Sequence, residues 1–285
     1  MKKIGLFSLV LFLSFFSNAQ KMEKIWETSG LEVPESIVHY QGHYYVSNVA
    51  GQPAEKNGLG YISKISENGE IVVQKWAVGF NAPKGLGIHG SEMFVADVDV
   101  VAIVDMNTGK IKKKLHAESA TFLNDIEISS SGDVYVTDTF GGNAIYKVSE
   151  GTISLLLKSE GLNYPNGLLL EGDNLYVSTW GVVTNPETFE TEVPGKLVRV
   201  DLKTKELKDI STSFGNLDGL ARFGDSFLVS DWIAGGLLAI DTQGNVNELL
   251  DLAPGSADIF YEEGSNLVLV PEMIEGKLSA YKIKD

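Results

Sequence analysis

The sequence contains no cysteine among its 285 residues. Disulfide-stapled scaffolds, thiolate-ligated zinc and a bacterial lipid anchor attached to a cysteine are therefore excluded. Basic residues are also scarce, because 23 Lys and Arg stand against 38 Asp and Glu, which gives a net charge of −15. A surface this acidic repels nucleic acid backbones and anionic membranes, and it favours cations as partners.

Long apolar runs are absent after residue 20, but one lies near the amino terminus. Two lysines precede this run, Ile4–Phe16, and it is followed by the small residues Ser17 and Ala19. Because it is shorter than the ~20 residues of a spanning helix, the pattern predicts a secretory signal peptide over residues 1–19. Cleavage would release residues 20–285 as a secreted or periplasmic protein free of the membrane. An uncleaved anchor is the alternative.

A repeated pattern runs through the rest of the sequence, which has 30 glycines and many β-branched residues. In each copy a polar residue opens an apolar strand, a glycine turn follows, and a second apolar strand ends 13 residues after the opening, or 14 in the third copy. Third and fourth strands follow in most copies. The six copies open at Glu35, Lys84, Asn124, Asn166, Asp218 and Asp258.

Four short strands in each of six repeats predict an all-β fold, a six-bladed β-propeller filling residues 20–285. The last repeat has only three strands, and the segment Lys24–Thr28 resembles the strand that precedes the second repeat. We therefore expect this N-terminal strand to complete blade six and to close the ring. A β-sandwich is the alternative, although a sandwich does not require a repeat with a fixed register.

The innermost strand of each blade begins beside the central channel, so the six opening residues should meet there. Three carboxylates, Glu35, Asp218 and Asp258, would then lie side by side and repel one another unless a cation joined them. Asn124 and Asn166 add neutral oxygens, and such a donor set suits a hard divalent ion such as Ca²⁺. The alternative is that these Asn and Asp residues only bond nearby backbone groups at the starts of strands.

A second polar series, Asp97, Asp138 and Asp231, ends the second strands. These residues lie farther from the axis than the opening residues. We interpret them as turn formers.

Four of the opening motifs carry a family resemblance: Pro34-Glu35-Ser36, Leu123-Asn124-Asp125, Pro165-Asn166-Gly167-Leu168 and Leu217-Asp218-Gly219-Leu220. In this order they resemble the senescence marker protein/gluconolactonase/regucalcin family and its relatives, the paraoxonases. The resemblance covers essentially all of the mature chain and implies a metal-dependent hydrolase of small lactones or related esters. It also implies that Glu35, Asn166 and Asp218 hold Ca²⁺ or a similar ion, and that Asn124 helps to hold the ion or the substrate.

Two departures from the family pattern change what is expected of the substrate and the ion. Sugar-lactone members have an arginine where this sequence has Phe122, so a more apolar lactone is expected here. The ammonium of Lys84 would oppose a divalent ion at the same site, or it would pair with Glu35 and replace that ion. The second case leads to the alternative function, a metal-free propeller of the strictosidine-synthase-like or NHL type that binds a ligand or a protein.

With an ion present, water would attack a lactone carbonyl held at the centre of the ring. Asp218 is the first candidate for the base that activates this water, and Asp258 is the second. Lys84 is a candidate donor to the oxyanion. His116 leads towards the third opening and is the histidine expected on this face, where it would contact substrate; the alternative is an exposed loop histidine without a role in the site. We also expect Phe122 and Trp180 to bind substrate, and two long connections, 49–58 and 180–195, to border the site.

Overall fold

The computed structural model describes residues 21–185 and 188–284, and its regular structure is almost entirely β-strand. The predicted signal peptide lies outside these residues. The strands form six four-stranded antiparallel sheets, which are the blades of a propeller. This confirms the predicted fold. Within the described part of the chain, no helix is both long enough and apolar enough to span a membrane.

The first half of the chain forms one N-terminal strand and three blades, with a single turn of helix in the third. The elements are β1 (Lys21–Ser29); in blade one β2 (Pro34–Tyr40), β3 (His43–Asn48), β4 (Gly60–Ser66) and β5 (Ile71–Phe80); in blade two β6 (Pro83–His89), β7 (Glu92–Asp97), β8 (Val100–Asp105) and β9 (Ile111–His116); and in blade three β10 (Leu123–Ile128), β11 (Val134–Asp138), α1 (Thr139–Gly142), β12 (Ala144–Ser149) and β13 (Thr152–Lys158).

The second half forms three further blades and two short 3-10 helices, Glu160–Leu162 and Glu263–Ser265. The strands are, in blade four, β14 (Pro165–Glu171), β15 (Asn174–Thr179), β18 (Leu197–Asp201) and β19 (Leu207–Asp209), with a separate two-stranded sheet of β16 (Gly181–Val183) and β17 (Thr191–Pro194) between β15 and β18; in blade five β20 (Leu217–Phe223), β21 (Ser226–Asp231), β22 (Gly236–Ile240) and β23 (Val246–Asp251); and in blade six β24 (Phe260–Glu262), β25 (Leu267–Glu272) and β26 (Lys277–Lys284).

Blade six is completed from the other end of the chain. Strand β1 pairs with β26 in antiparallel register, with Trp26 opposite Ala280 and Thr28 opposite Leu278. The sheet order is β1, β26, β25, β24. The predicted closure by the N-terminal strand is therefore confirmed, and it leaves no long unpaired edge between the first and last blades.

The hydrophobic core is divided into six main clusters, one between each pair of adjacent blades. Between blades one and two, for example, Phe80 packs with Met93 and Val95, and all three side chains are fully buried. Alternating strand residues supply these clusters from both faces of each sheet, because a blade is covered on both sides. Burial of each large aliphatic or aromatic side chain stabilises the fold by about 1.5–3 kcal/mol.

The inner strands β2, β6, β10, β14 and β20 contact one another in ring order, and β24 contacts both β20 and β2. The starts of these strands therefore surround the channel. The connection from β15 to β18 corresponds to the long loop predicted over residues 180–195. It contains the β16–β17 hairpin, in which Val182 pairs with Val193.

Candidate functional site

The inner strands of blades one to five all begin with the same irregularity. Pairing with the second strand runs from Pro34 directly to Ile37 in blade one, and from Leu123 directly to Ile126 in blade three. The equivalent steps in the other three blades start at Pro83, Pro165 and Leu217. The opening residue of each blade sits inside this β-bulge, and bulges re-aim side chains and are common beside active sites.

Buried hydroxyl groups tie the bulges of neighbouring blades together. Thr137 Oγ1 accepts a hydrogen bond from the Asp125 amide at 3.0 Å and donates to the Asn166 carbonyl at 2.9 Å. Ser178 and Ser230 make corresponding pairs of hydrogen bonds from blades four and five. The opening of one blade is thereby fixed to that of the next.

The acidic residues at the ends of the second strands play two different structural roles. Asp97 accepts hydrogen bonds from the amides of Asn81 and Ala82 at 2.9 and 2.8 Å, and Asp138 accepts one from Phe122 at 2.8 Å. Each of these carboxylates therefore holds the segment that enters the inner strand of its own blade. Asp231 likewise accepts a hydrogen bond from the amide of Asn216, just before β20, and it also accepts one from the amide of Ala234, three residues later, as expected for a turn former. The prediction for this series is confirmed only for its last member.

A cavity of about 330 Å³ lies over the opening residues of blades one to five. These five residues, each at most 5% exposed, are called the floor: Glu35, Lys84, Asn124, Asn166 and Asp218. The apolar residues that line the rest of the cavity are called the wall: Val33, Pro53, Phe122, Phe140, Trp180, Phe189, Trp232, Met273 and Ile274. Gly51 and Gln52 also border the cavity.

Hydrogen bonds within the floor leave two oxygen atoms unused. Asn124 Nδ2 donates to Thr139 Oγ1 at 3.1 Å and to Asn166 Oδ1, while Asn166 Nδ2 donates to the Leu217 carbonyl at 3.3 Å. Asn124 Oδ1 and Glu35 Oε2 are buried and have no hydrogen-bond partner among the described residues. Buried polar atoms are nearly always paired, so these two oxygens are available to a ligand.

The floor carboxylates have strongly perturbed acidities. Burial raises the pKa of Glu35 well above its usual range, and the charges of Asp218 and Asp258 raise it further. Burial and then Asp258 likewise raise the pKa of Asp218. Without a cation these carboxyls retain protons at a pH where exposed ones would be ionised, and a bound cation would reverse this effect.

Lys84 is buried on the floor, but it forms no ion pair with Glu35 in the described structure. Its Nζ donates to the carbonyls of Ala82 and Leu123 at 3.3 and 3.5 Å and lies 4.4 Å from the centre of the Phe122 ring. Burial lowers the pKa of Lys84 to about 8. The direct pairing that would let Lys84 replace an ion is therefore not formed.

Two other predicted site residues lie outside this cavity. Asp258 precedes β24, and its Oδ2 accepts a hydrogen bond from Ser36 Oγ at 2.6 Å. His116 lines a neighbouring cavity of about 730 Å³, where its Nδ1 lies 3.3 Å from Asp99 Oδ2. The two cavities share wall residues, so His116 is near the first cavity without bordering it.

No protein-family model matches the sequence, and no curated protein matches it significantly. Solved structures do match. A gluconolactonase from Xanthomonas campestris superimposes with a TM-score of 0.70 at 13% identity, over 94% of this chain and 91% of the other. For a streptogramin B lyase the values are 0.64 and 14%, over 94% of this chain and 100% of the other. For virginiamycin B lyase from Staphylococcus aureus they are 0.62 and 15%, over 93% and 100%.

At these identities the likeness establishes the fold alone. It supports a propeller of the gluconolactonase-like type, as the sequence predicts. The expected relation to the paraoxonases is not supported by these neighbours and stays a prediction.

The oxygen donors of the floor are of the kind that binds a hard divalent ion. It offers two carboxylates and two carboxamides, and one oxygen on Glu35 and one on Asn124 are unpartnered. The described chain has no group of three or more His, Asp or Glu side chains placed to share a metal ion. Any ion here would therefore depend on the Asn oxygens as well as on Glu35 and Asp218.

The wall is built around an arc of aromatic rings. The ring centre of Phe140 lies 4.8 Å from that of Phe122, 4.9 Å from Phe189 and 5.5 Å from Trp180. Trp232 extends the arc at 5.7 Å from Trp180. Edge-to-face and tilted contacts at these distances stabilise aromatic clusters.

Sequence reasoning placed Phe122, Trp180 and the connection 180–195 near the site, but it missed the aliphatic side of the wall. Met273 and Ile274 lie just after β25, in a short connection of blade six, and Val33 precedes β2. The length of the connections 49–58 and 180–195 indicated that they border the site. The segments that carry Met273, Ile274 and Val33 are short, so length does not identify them. Their position after a second strand, equivalent to that of Trp180 and Trp232, is the signal that identifies Met273 and Ile274.

Proposed function

We propose that this protein is a metal-dependent hydrolase of small lactones or related esters. The observation that carries the proposal is the pair of buried, unpartnered oxygens on Glu35 and Asn124, two residues that line the same cavity as Asp218 and Asn166. A gluconolactonase and a streptogramin B lyase share this fold, and their names are consistent with hydrolase or lyase chemistry. The N-terminal pattern supports a secreted or periplasmic location.

Glu35, Asn124, Asn166 and Asp218 would hold the ion, for which Ca²⁺ is the first candidate because all four residues offer oxygen. When bound, such an ion supplies a positive charge that polarises a carbonyl group and stabilises an oxyanion.

The chain's own residues then have separate tasks. Lys84 borders the cavity with an ammonium that can donate to the developing oxyanion. Asp218 can accept the proton of the attacking water if one of its oxygens stays free of the ion. Asp258 is the weaker candidate base, because it does not line the cavity and Ser36 donates a hydrogen bond to one of its oxygens. A substrate held against the apolar wall would displace water from the floor, which would strengthen each of these interactions.

The proposal is tested by measuring the metal content of the purified mature protein and then screening lactones and aryl esters with and without a chelator. We expect a stoichiometric divalent ion, hydrolysis that EDTA abolishes, and a higher melting temperature with Ca²⁺. At a concentration 100 times the Kd, the ion would stabilise the fold by about 2.7 kcal/mol. Unchanged melting with both EDTA and Ca²⁺ would contradict the metal requirement.

A metal-free binding module is the second candidate function. The buried Lys84 favours it, because this residue already brings a positive charge to the floor. So does the lack of three acidic or histidine side chains grouped as a metal site in the described residues. This alternative predicts that the protein contains no metal as purified and that EDTA does not change ligand binding.

A further inference from the structure

The side chains around the cavity offer few free hydrogen-bond donors. Both amide hydrogens of Asn124 are used by neighbours on the floor. On the wall, Trp180 Nε1 donates to the Phe189 carbonyl at 3.1 Å and Trp232 Nε1 contacts Met273 Sδ at 3.2 Å. Among the described lining residues, Lys84 and Gln52 are left as the main side-chain donors to a ligand.

The small number of free donors disfavours a polyhydroxylated ligand. Each buried hydroxyl without a partner weakens binding by roughly five- to a hundredfold. The carboxylates of Glu35 and Asp218 could accept hydrogen bonds from hydroxyl groups, but in the proposed function they hold the ion. A sugar lactone would therefore leave most of its hydroxyls facing aromatic rings and aliphatic side chains.

The shape of the wall favours a different chemistry. Aromatic rings form one side, from Phe140 through Trp180 to Trp232, and Met273 and Ile274 are among the apolar residues that complete the lining. Ile274 is 63% exposed at the cavity, the largest exposure among the large hydrophobic residues of the described chain. An apolar group entering the cavity would cover this side chain and contact the rings.

We infer that the substrate carries an aromatic ring, attached to its lactone or ester group, which lies against the aromatic arc and Ile274. This inference rests on the proposed function. The cavity, at about 330 Å³, is near the lower limit of ~300 Å³ for small-molecule sites, so the ligand is small. An aromatic ring is preferred to an alicyclic ring of equal size because it makes edge-to-face contacts with tryptophan and phenylalanine.

The test uses three lactams, which have the shape of lactones but resist hydrolysis: a phenyl-substituted δ-lactam, its cyclohexyl counterpart and gluconolactam. Their affinities for the full-length mature protein are measured by calorimetry, with Ca²⁺ and with EDTA. We expect the phenyl lactam to bind at least about tenfold more tightly than gluconolactam. We also expect it to bind roughly threefold more tightly than the cyclohexyl lactam.

Variants locate the binding site. Trp232→Ala should weaken binding of the phenyl lactam by roughly tenfold. Trp76→Ala is the matched control, because Trp76 packs against Tyr45 on blade one and does not border the cavity. Ile274→Ser, at an exposed position where folding is not at risk, should weaken the phenyl lactam by about threefold and leave gluconolactam unchanged.

The possible failures can be told apart. Gluconolactam binding as tightly as the phenyl lactam, or no effect of both Trp232→Ala and Ile274→Ser, would overturn the inference whatever the turnover. The phenyl lactam could instead bind tightly and lose affinity in Trp232→Ala and Ile274→Ser, while none of the three matching lactones is hydrolysed. This result would contradict the proposed hydrolase activity and support an aromatic ligand. Hydrolysis that is fastest for gluconolactone would overturn the inference and support the hydrolase.

Discussion

The floor and the wall of the cavity are built in different ways. Floor residues lie in β-bulges at the starts of inner strands, and buried hydroxyls such as that of Thr137 link these bulges from blade to blade. Most of the wall lies on connections between strands, as Trp180 and Ile274 do. The floor is polar and fixed by the sheet, whereas the wall is apolar and is held by ring packing.

This difference separates two tasks that a binding site must perform. Groups that hold an ion or a reacting carbonyl must be placed to within a fraction of an ångström, and strands supply that precision. Groups that select a substrate by apolar contact tolerate more variation, which loops allow. Changes to the floor should therefore act on chemistry and ion binding, and changes to the wall should act on ligand choice.

The largest effect is expected from Asp218→Asn on the floor. The substitution keeps the size of the side chain but removes a charge that would hold the ion and accept a proton. We expect kcat/KM for lactone or ester hydrolysis to fall by about 10³-fold or more, with an unchanged circular dichroism spectrum. Steady-state kinetics with Asp173→Asn, an exposed control, provides the comparison. Turnover within tenfold of the wild type would move the base and the ion site away from Asp218.

Lys84→Met should have the next largest effect, because it should strengthen Ca²⁺ binding and weaken catalysis. Removing the opposing charge should tighten Ca²⁺ binding, while losing the oxyanion donor should lower kcat by about 10²-fold. Calorimetric Ca²⁺ titration and kinetics measure the two effects, with the exposed Lys203→Met as control. If the wild type showed no Ca²⁺ binding and Lys84→Met bound it clearly, Lys84 would be the substitute for an ion, and the metal-free binding module would be the better account.

The sequence predicted the six blades because each repeat conserves the spacing between its first and second strands. It also identified all five floor residues, since the opening residue stands at the same place in each repeat. The bulges could not be predicted, because they depend on hydrogen bonds such as that between Thr137 and Asn166, which join separate blades.

Asp258, the opening residue of the sixth repeat, does not occupy the same structural position as the other five opening residues. In blade six the inner strand is short and begins at Phe260, after the opening residue. Asp258 is therefore not part of the strand, and it binds Ser36 instead of lining the cavity. The repeat pattern fixed its position along the sequence, but not the strand pairing that would have aimed its side chain.

Acidic groups around the floor should also give the metal-free protein an unusual dependence of stability on pH. Burial raises the pKa of Asp258 and that of Glu127 to about 7, whereas in the unfolded chain both titrate near 4. Between these values the folded state binds more protons than the unfolded state, so stability decreases as pH rises from about 4 to 7. Melting temperatures in EDTA should fall by several degrees across this range.

Asp258→Asn should flatten this dependence, because it removes one of the titrating groups. The exposed Asp173→Asn should leave the dependence as it is in the wild type. A melting temperature that rises steadily from pH 4 to 7 in EDTA would show that these carboxyls ionise normally in the folded protein.

The smallest expected effect is a difference in stability between variants of two threonines, Thr137 and Thr184. Thr137→Val keeps the side-chain shape but leaves the Asp125 amide and the Asn166 carbonyl, both buried beside the floor, without their partner. This should cost about 1–3 kcal/mol in the free energy of unfolding. In the hairpin beside the wall, Thr184 donates to the Glu190 carbonyl at 3.2 Å at an exposed position, where water can take its place. Thr184→Val should therefore change stability by less than about 0.5 kcal/mol.

Urea unfolding of the two variants measures this contrast directly, and Ca²⁺ titration extends it to the site. Thr137→Val should also weaken ion binding, because the bulge that carries Asn124 and the strand that carries Asn166 would lose their link. Thr184→Val should leave ion binding unchanged, since no floor residue contacts its hydroxyl. Equal losses of stability in the two variants would mean that the blade-to-blade hydroxyls do not hold the floor more firmly than the hairpin is held, and that the precision attributed to the floor has another source.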